Sequence, residues 1–79
     1  MEDWNEAIFA IIKNYNKSEI ELNEIYQIMK THRLVTEYHR QPWKPSGQPR
    51  YECWIRRCLT SLIRANLIKR VSRALYALR

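Results

Sequence analysis

The chain has 79 residues, which predicts one domain, residues 1–79, near the lower size limit for a domain that buries its own core. Its 46% apolar and 28% charged residues exclude a disordered chain. No apolar run approaches the roughly 20 residues of a membrane span, and the acidic start Met-Glu-Asp-Trp lacks the features of a signal peptide. We therefore expect a cytoplasmic (intracellular) protein without a membrane partner, in the nucleoid or, in a eukaryote, the nucleus.

The charge is unevenly distributed along the chain, although the total is +6. Residues 1–38 hold four Lys and Arg against seven acids, whereas residues 39–79 hold ten against one, a net charge of +9. This excess predicts an acidic partner for the C-terminal half, and a phosphate backbone is the densest such partner. An anionic membrane surface competes less well, because no segment combines a large apolar face with a Lys-rich one.

The first helix is predicted over about residues 3–15. Asp3 and Glu6 form a capping-box pattern at its start. Its apolar residues recur at helical spacing on one face: Trp4, Ile8, Ile11, Ile12 and Tyr15. This face predicts a scaffold helix that packs on the core.

A short edge strand and a second helix follow. Residues 18–22 alternate polar with apolar side chains, which is compatible with a brief strand. The second helix is expected over about residues 22–32, with a core stripe of Leu22, Ile25, Ile28, Met29 and His32.

The periodicity is lost between residues 33 and 48. Residues 36–39 suit a single helical turn, and residues 41–49 form a Pro-rich loop that contains the only Gly of the chain. Two interpretations of Trp43 are open. We favour a lid folded back on the core; the alternative is an exposed ring that stacks on a base or sugar, flanked by Arg40, Lys44 and Arg50.

The third helix, over about residues 50–65, has the strongest pattern of the chain. Pro49 suits its start and Asn66 suits a left-handed stop after its last turn. Its apolar residues predict one buried stripe: Tyr51, Trp54, Ile55, Cys58, Leu59, Leu62 and Ile63. The opposite face carries Cys53, Arg56, Arg57, Thr60 and Arg64, with Ser61 at its edge. A helix with this basic face fits a major groove, and it is equally compatible with a solvated surface.

Residues 67–79 predict a β-hairpin. Two short apolar runs bracket the polar turn Ser72-Arg73-Ala74, although Ser-Arg is not a favoured two-residue turn pair. Lys69, Arg70 and Arg73 lie at or near its tip. The element order predicts an α+β fold, a winged helix-turn-helix with three helices, a C-terminal hairpin wing and a possible short strand before helix two.

The cysteines predict neither a disulfide nor a metal site. Cys53 and Cys58 lie five residues apart on one helix, and their directions differ by about 140°, so both should be free thiols. His32 and His39 complete a set of four possible ligands, but no zinc-site spacing is present. No residue pattern suggests a catalytic site or a cofactor, so we expect a protein that is not an enzyme.

The C-terminal pattern resembles a known family. An Arg-bearing helix followed by Ala65-Asn66-Leu67-Ile68, Arg73 and Leu75-Tyr76 is similar to the winged-helix modules at the N-terminus of Mrr-type restriction-system proteins and to HARE-type helix-turn-helix domains. The resemblance covers about residues 20–79. It implies a module that is joined to a nuclease or other effector domain. Such a module would read a modified base, and the loop around Trp43 would form the pocket for that base. Asn66 and Ala74 stand where the family usually has Gly; Asn tolerates a left-handed conformation, whereas Ala would be strained there.

These features together predict a module that binds double-stranded DNA, as a small transcription regulator or as the specificity module of a restriction system. Arg56 and Arg57 would contact base edges, with Thr60 on a base methyl or a phosphate. The remaining candidate DNA-binding residues are Arg50, Cys53, Ser61, Arg64, Lys69, Arg70 and Arg73, with Lys44 and Trp43 from the loop. The alternative is a winged helix that docks on an acidic protein partner. As an isolated domain it should be a monomer.

Overall fold

The computed structural model describes residues 3–44 and 47–79, so Met1, Glu2, Pro45 and Ser46, which fall in the predicted N-terminus and loop, lie outside the described residues. Within the described part, the helices are α1 (Trp4–Asn14), α2 (Leu22–Lys30), α3 (Glu37–Arg40) and α4 (Arg50–Arg64), and the strands are β1 (Glu19–Glu21), β2 (Ile68–Ser72) and β3 (Leu75–Leu78). The predicted α+β class is confirmed. None of the described helices is long and apolar enough to cross a membrane.

The N-terminal helix forms where the sequence predicts it. Asp3 has an extended backbone, and its Oδ1 accepts a hydrogen bond of 2.8 Å from the backbone N–H of Glu6. This bond satisfies one of the donors that the first turn of a helix leaves free. α1 ends at Asn14, because Tyr15 returns to an extended conformation.

The sheet is antiparallel, with the strand order β1-β3-β2. The predicted edge strand is confirmed as β1, in which Ile20 pairs with Tyr76 and is buried on the core face. β2 forms the other edge, and its register shifts between Arg70 and Ser72, so Val71 forms a bulge. The last strand of the chain therefore lies in the middle of the sheet and joins residues that are far apart in sequence.

The core collects one or two fully buried side chains from most elements. The largest of these are Ile8, Ile20, Ile25, Met29, Ile55, Leu59 and Ile68. The stripe predicted for α4 faces this core, with Ile55 at 0% and Leu59 at 1% exposure. Every element except the one-turn helix α3 contributes a buried residue, so the core depends on the whole fold.

The prediction for α2 is wrong at two positions: Ile28 lies outside the core, and His32 lies beyond the end of the helix at Lys30 and is half-buried. Ile28 was expected in the core stripe but is 38% exposed, whereas Tyr26 is only 7% exposed. Leu22, Ile25, Tyr26 and Met29 share one side of the helix, and Ile28 points about 110° from its centre. The packing of α2 on the core therefore determines which of two overlapping apolar arcs is buried, the one with Tyr26 or the one with Ile28.

The stop of α4 follows the predicted left-handed conformation. Asn66 has a φ of 63°, and its N–H donates to the carbonyl of Ile63 at 3.0 Å. The N–H of Leu67 donates to the carbonyl of Leu62 at 3.1 Å, which completes a Schellman motif. Asn66 thus reverses the chain directly from α4 into the hairpin.

The hairpin turn is shorter than expected, because Ser72 pairs with Leu75 and only Arg73 and Ala74 connect the strands. Ala74 has a φ of 59°, the strained conformation anticipated for Ala at this position. Its carbonyl accepts a hydrogen bond of 2.9 Å from the N–H of Leu22, so the turn is attached to the start of α2.

We expect Ala74→Gly to stabilise the protein by about 0.5–1 kcal/mol, since Gly adopts a positive φ without the steric cost of a Cβ. Thermal unfolding should then shift upward by about 2–8 °C. Ala65→Gly is the matched control: this exposed residue caps α4 with a φ of −81°, so Gly should destabilise there. A lower melting temperature for Ala74→Gly would show that the left-handed turn is not populated in solution.

Candidate nucleic-acid interface

The solvent-facing side of α4 carries the basic residues predicted for it. The helix buries its opposite stripe against the core, which turns these side chains outward. Cys53 is half-buried, and so is Glu52, the single acid of the helix. The exposed residues of this face are Arg56, Arg57, Thr60, Ser61 and Arg64.

Arg56 is held in place by its neighbours. Its Nη2 donates a hydrogen bond of 2.8 Å to Oε1 of Gln48 and one of 3.5 Å to Sγ of Cys53. The bond to Cys53 is the main cause that raises the pKa of Arg56, so the guanidinium is a permanent cation. Thr60 donates its hydroxyl to the carbonyl of Arg56 at 3.1 Å. The two hydrogen bonds of Nη2 restrict the orientation of the guanidinium at the surface.

The hairpin extends the cationic surface beyond the end of α4. Lys69, Arg70 and Arg73 are exposed, whereas Ile68 at the start of β2 is fully buried and anchors the strand. α4 packs against β2, so the two sets of cations belong to one rigid unit.

Arg50 lies apart from the exposed face of α4. Its guanidinium carbon is 4.4 Å from the ring centroid of Tyr38 and 5.1 Å from that of Trp43. Nη1 donates to the carbonyl of Tyr38 at 3.3 Å, and Nε is buried without a hydrogen-bond partner among the described residues. Arg50 therefore connects α4 to the loop, and its phosphate contact stays a prediction.

The expectation that Trp43 covers the core as a lid is wrong. The side chain is 51% exposed. The N–H of Arg50 donates to the carbonyl of Gln41 at 2.9 Å, and Pro42 and Pro49 form an antiparallel bridge beside this bond. The closed base of the loop and the stack on Arg50 keep the indole at the surface. Lys44 beside it is also exposed.

His39 lies in an aromatic cluster that covers one side of the core. Its ring centroid is 4.9 Å from that of Trp4 and 4.8 Å from that of Trp54. Nδ1 accepts a hydrogen bond of 3.0 Å from the N–H of Thr36, and the Thr36 side chain accepts from the N–H of His39, which completes a capping box for α3. The neutral ring therefore carries its proton on Nε2. Burial, and secondarily Arg40, lowers the pKa of His39.

We expect the free energy of unfolding to decrease as the pH falls below about 6.5, the ordinary pKa of His. The unfolded chain then binds a proton that the folded His39 resists, and linkage favours the unfolded state. Above that pH the ring is neutral in both states. Urea unfolding between about pH 5.5 and 8 measures this slope. His39→Gln keeps an acceptor at the capping position and should flatten the slope; an unchanged slope would assign it to other groups.

An open groove of about 430 Å³ lies between the start of α1 and α4. It is lined by Asp3, Trp4, Asn5, Trp54, Arg57 and Cys58. Burial raises the pKa of Cys58 to about 11, so this thiol stays protonated and is a poor nucleophile.

Cys53 and Cys58 are both free thiols, as predicted. In residues 3–44 and 47–79, no three His, Cys, Asp or Glu side chains come together in a way that could hold a metal ion.

Three contacts of the site were missed by the sequence analysis: Gln48 on Arg56, Tyr38 on Arg50, and Trp4 with Trp54 around His39. Gln48 and Tyr38 lie in the stretch without periodicity, so no local pattern indicates their partners. The composition of residues 38–50, with two exposed aromatic side chains among three cations, is the one signal available from the sequence.

The chain matches no protein-family model, and searches of curated proteins and of solved structures also find no match. The resemblance to Mrr-type and HARE-type modules therefore stays a prediction.

Proposed function

We propose that the chain is a winged helix-turn-helix module that binds double-stranded DNA, with α4 in the major groove and the β2–β3 hairpin as the wing. One observation carries the proposal: the exposed side of α4 and the hairpin that packs against this helix together carry six exposed cations. These are Arg56, Arg57, Arg64, Lys69, Arg70 and Arg73. The element order α1-β1-α2-α3-α4-β2-β3 and the sheet order β1-β3-β2 support the winged-helix assignment.

The chemistry of the surface divides it into two parts. Arg56, which Gln48 orients, and the neighbouring Arg57 are placed on the first half of α4 and would contact base edges, because a guanidinium pairs with O6 and N7 of guanine. Thr60 offers a methyl group beside them. The cations further along α4 and on the hairpin would neutralise phosphates and set the position of the helix without reading sequence.

A titration of a labelled random-sequence duplex tests the proposal, with fluorescence anisotropy recorded at several salt concentrations. If Arg64 and the three cations of the hairpin neutralise phosphates, the logarithm of the association constant should fall with the logarithm of the salt concentration with a slope of about −4. Polyglutamate serves as a control polyanion of another shape and should compete poorly. The absence of duplex binding at low salt, where electrostatic attraction is strongest, would overturn the proposal.

A protein-binding winged helix is the second candidate. The observation in its favour is a set of exposed apolar side chains beside the cations of the hairpin: Leu67 at 44%, Val71 at 41% and Leu78 at 40% exposure. An acidic protein surface with apolar residues would complement such a hairpin. Competition by polyglutamate as strong as that by the duplex would favour this candidate over DNA.

A further inference from the structure

Tyr38 and Trp43 are the two exposed aromatic side chains of the described part of the chain, at 52% and 51% exposure. The Arg50 guanidinium lies against both rings. We refer to this cluster of Tyr38, Arg50 and Trp43 as the aromatic platform.

The aromatic platform is held in place before any ligand binds. Trp43 follows the Pro42–Pro49 bridge, which closes the base of the loop, and the backbone bond from Arg50 to Gln41 reinforces it. Arg50 is itself fixed by the first turn of α4 and by its bond to the Tyr38 carbonyl. A ligand that stacks on these rings would therefore lose little conformational entropy of the protein.

The charges around the platform favour an anionic ligand. Residues 38–51 contain no Asp or Glu, and they include Arg40, Lys44 and Arg50. Lys44 is exposed, so its charge is available to a phosphate, whereas Nη2 of the exposed Arg40 donates a hydrogen bond of 3.3 Å to the carbonyl of Lys30. Flat aromatic faces interspersed with cations are the arrangement by which proteins bind unpaired nucleotides, because every base has a face that can stack.

The loop that carries Trp43 also contacts the proposed DNA surface. Gln48, in the same loop as Trp43, accepts the hydrogen bond of Arg56 on the exposed side of α4. A strand that leaves a duplex bound at α4 therefore has a short path to the loop. Bases inside a duplex are stacked on each other, so the rings can only receive a base from an overhang, a gap or a flipped-out position.

We propose that the aromatic platform binds unpaired nucleotides next to a duplex, with a base stacked on the exposed ring of Trp43 and a phosphate near Lys44. This inference rests on the proposed DNA-binding function and adds a second nucleic-acid site to it. The ligand is then a junction between double-stranded and single-stranded nucleic acid rather than a plain duplex.

The test compares a blunt duplex, the same duplex with a single-stranded extension, and the extension strand alone, each by anisotropy. Wild type should bind the tailed duplex about ten-fold more tightly than the blunt one, the order expected for stacking of a base. In Trp43→Ala this ratio should fall to about one, whereas Trp43→Phe, which keeps a ring, should retain part of it. Arg56→Ala/Arg57→Ala should weaken both duplexes and leave the ratio unchanged.

Tryptophan fluorescence gives a readout that does not depend on duplex binding. Trp43 is the exposed member of the three Trp residues, and a stacked base should quench its emission. Wild type should therefore show quenching by the single strand that is lost in Trp43→Phe. Circular dichroism confirms that each variant is folded, and Trp43→Leu provides a second variant without an aromatic ring if Trp43→Ala is not.

The outcomes separate this inference from the proposed function. Equal affinity of wild type for tailed and blunt duplexes, without quenching by the single strand, would overturn the platform and leave duplex binding standing. Quenching without any duplex binding would support the platform and overturn the α4 proposal. A ratio that survives in Trp43→Ala would place the unpaired strand elsewhere and overturn the inference.

Discussion

Arg56→Ala/Arg57→Ala is expected to weaken duplex binding by about 100-fold or more, since each guanidinium that pairs with a base edge contributes about 1–3 kcal/mol. Both side chains are exposed, and Ala is a strong helix former, so α4 should remain folded. Anisotropy titration at fixed salt measures the loss, and circular dichroism verifies the fold.

The matched control removes the same charge from the other half of the chain. Lys13 and Lys17 are exposed at the end of α1 and just after it, and Lys13→Ala/Lys17→Ala changes the net charge equally. Because these positions lie in the acidic half, binding should change by only a few fold through the overall field. Equal losses in the two variants would show that net charge, rather than α4, drives the binding.

The single variant Gln48→Ala separates orientation from charge at the same site. It removes the 2.8 Å bond to Nη2 of Arg56 but leaves the guanidinium in place. If Arg56 reads a base, the preference among duplex sequences should decrease, while the salt slope stays near that of wild type. Gln48 is thus a positioning residue whose effect would appear in specificity.

Ile55→Ala has the largest expected effect on stability. Ile55 is 0% exposed at the middle of α4, so truncation should leave a cavity and cost about 2–5 kcal/mol. A domain of this length has a total stability of about 4–12 kcal/mol, so the variant should be largely destabilised and in part unfolded at room temperature. Urea unfolding followed by circular dichroism measures the loss.

Ile28→Ala is the control for this prediction. It removes the same atoms from a helix, but Ile28 is 38% exposed on α2, so the loss should be below about 1 kcal/mol. A comparable loss at both positions would mean that Ile28 is buried in the core, as the sequence alone suggested. The pair therefore also tests which face of α2 lies on the core.

Local interactions explain the features that were predictable from the sequence. The Asp3 cap and the stop at Asn66 each depend on a few adjacent residues. The buried stripe of α4 follows from spacing along one helix, and the exposed basic face is its necessary opposite. These features require no knowledge of what lies across the core.

Only the tertiary structure could decide which side chains of different elements contact one another. The choice of Tyr26 over Ile28, the exposure of Trp43 and the position of His39 between Trp4 and Trp54 all depend on how elements pack in three dimensions. Arg50 illustrates the reason. Its position in the sequence predicts a solvated cation beside a helix start, whereas two rings from α3 and the loop enclose its guanidinium.

The sequence by itself therefore determined the elements, the amphipathic α4 and the uneven charge, because each is encoded within one helix or turn. The tertiary structure alone decided which cations are free at the surface and which are used to hold the loop. That difference arises because side-chain partners such as Gln48 for Arg56 and Tyr38 for Arg50 are brought together by packing rather than by spacing along the chain.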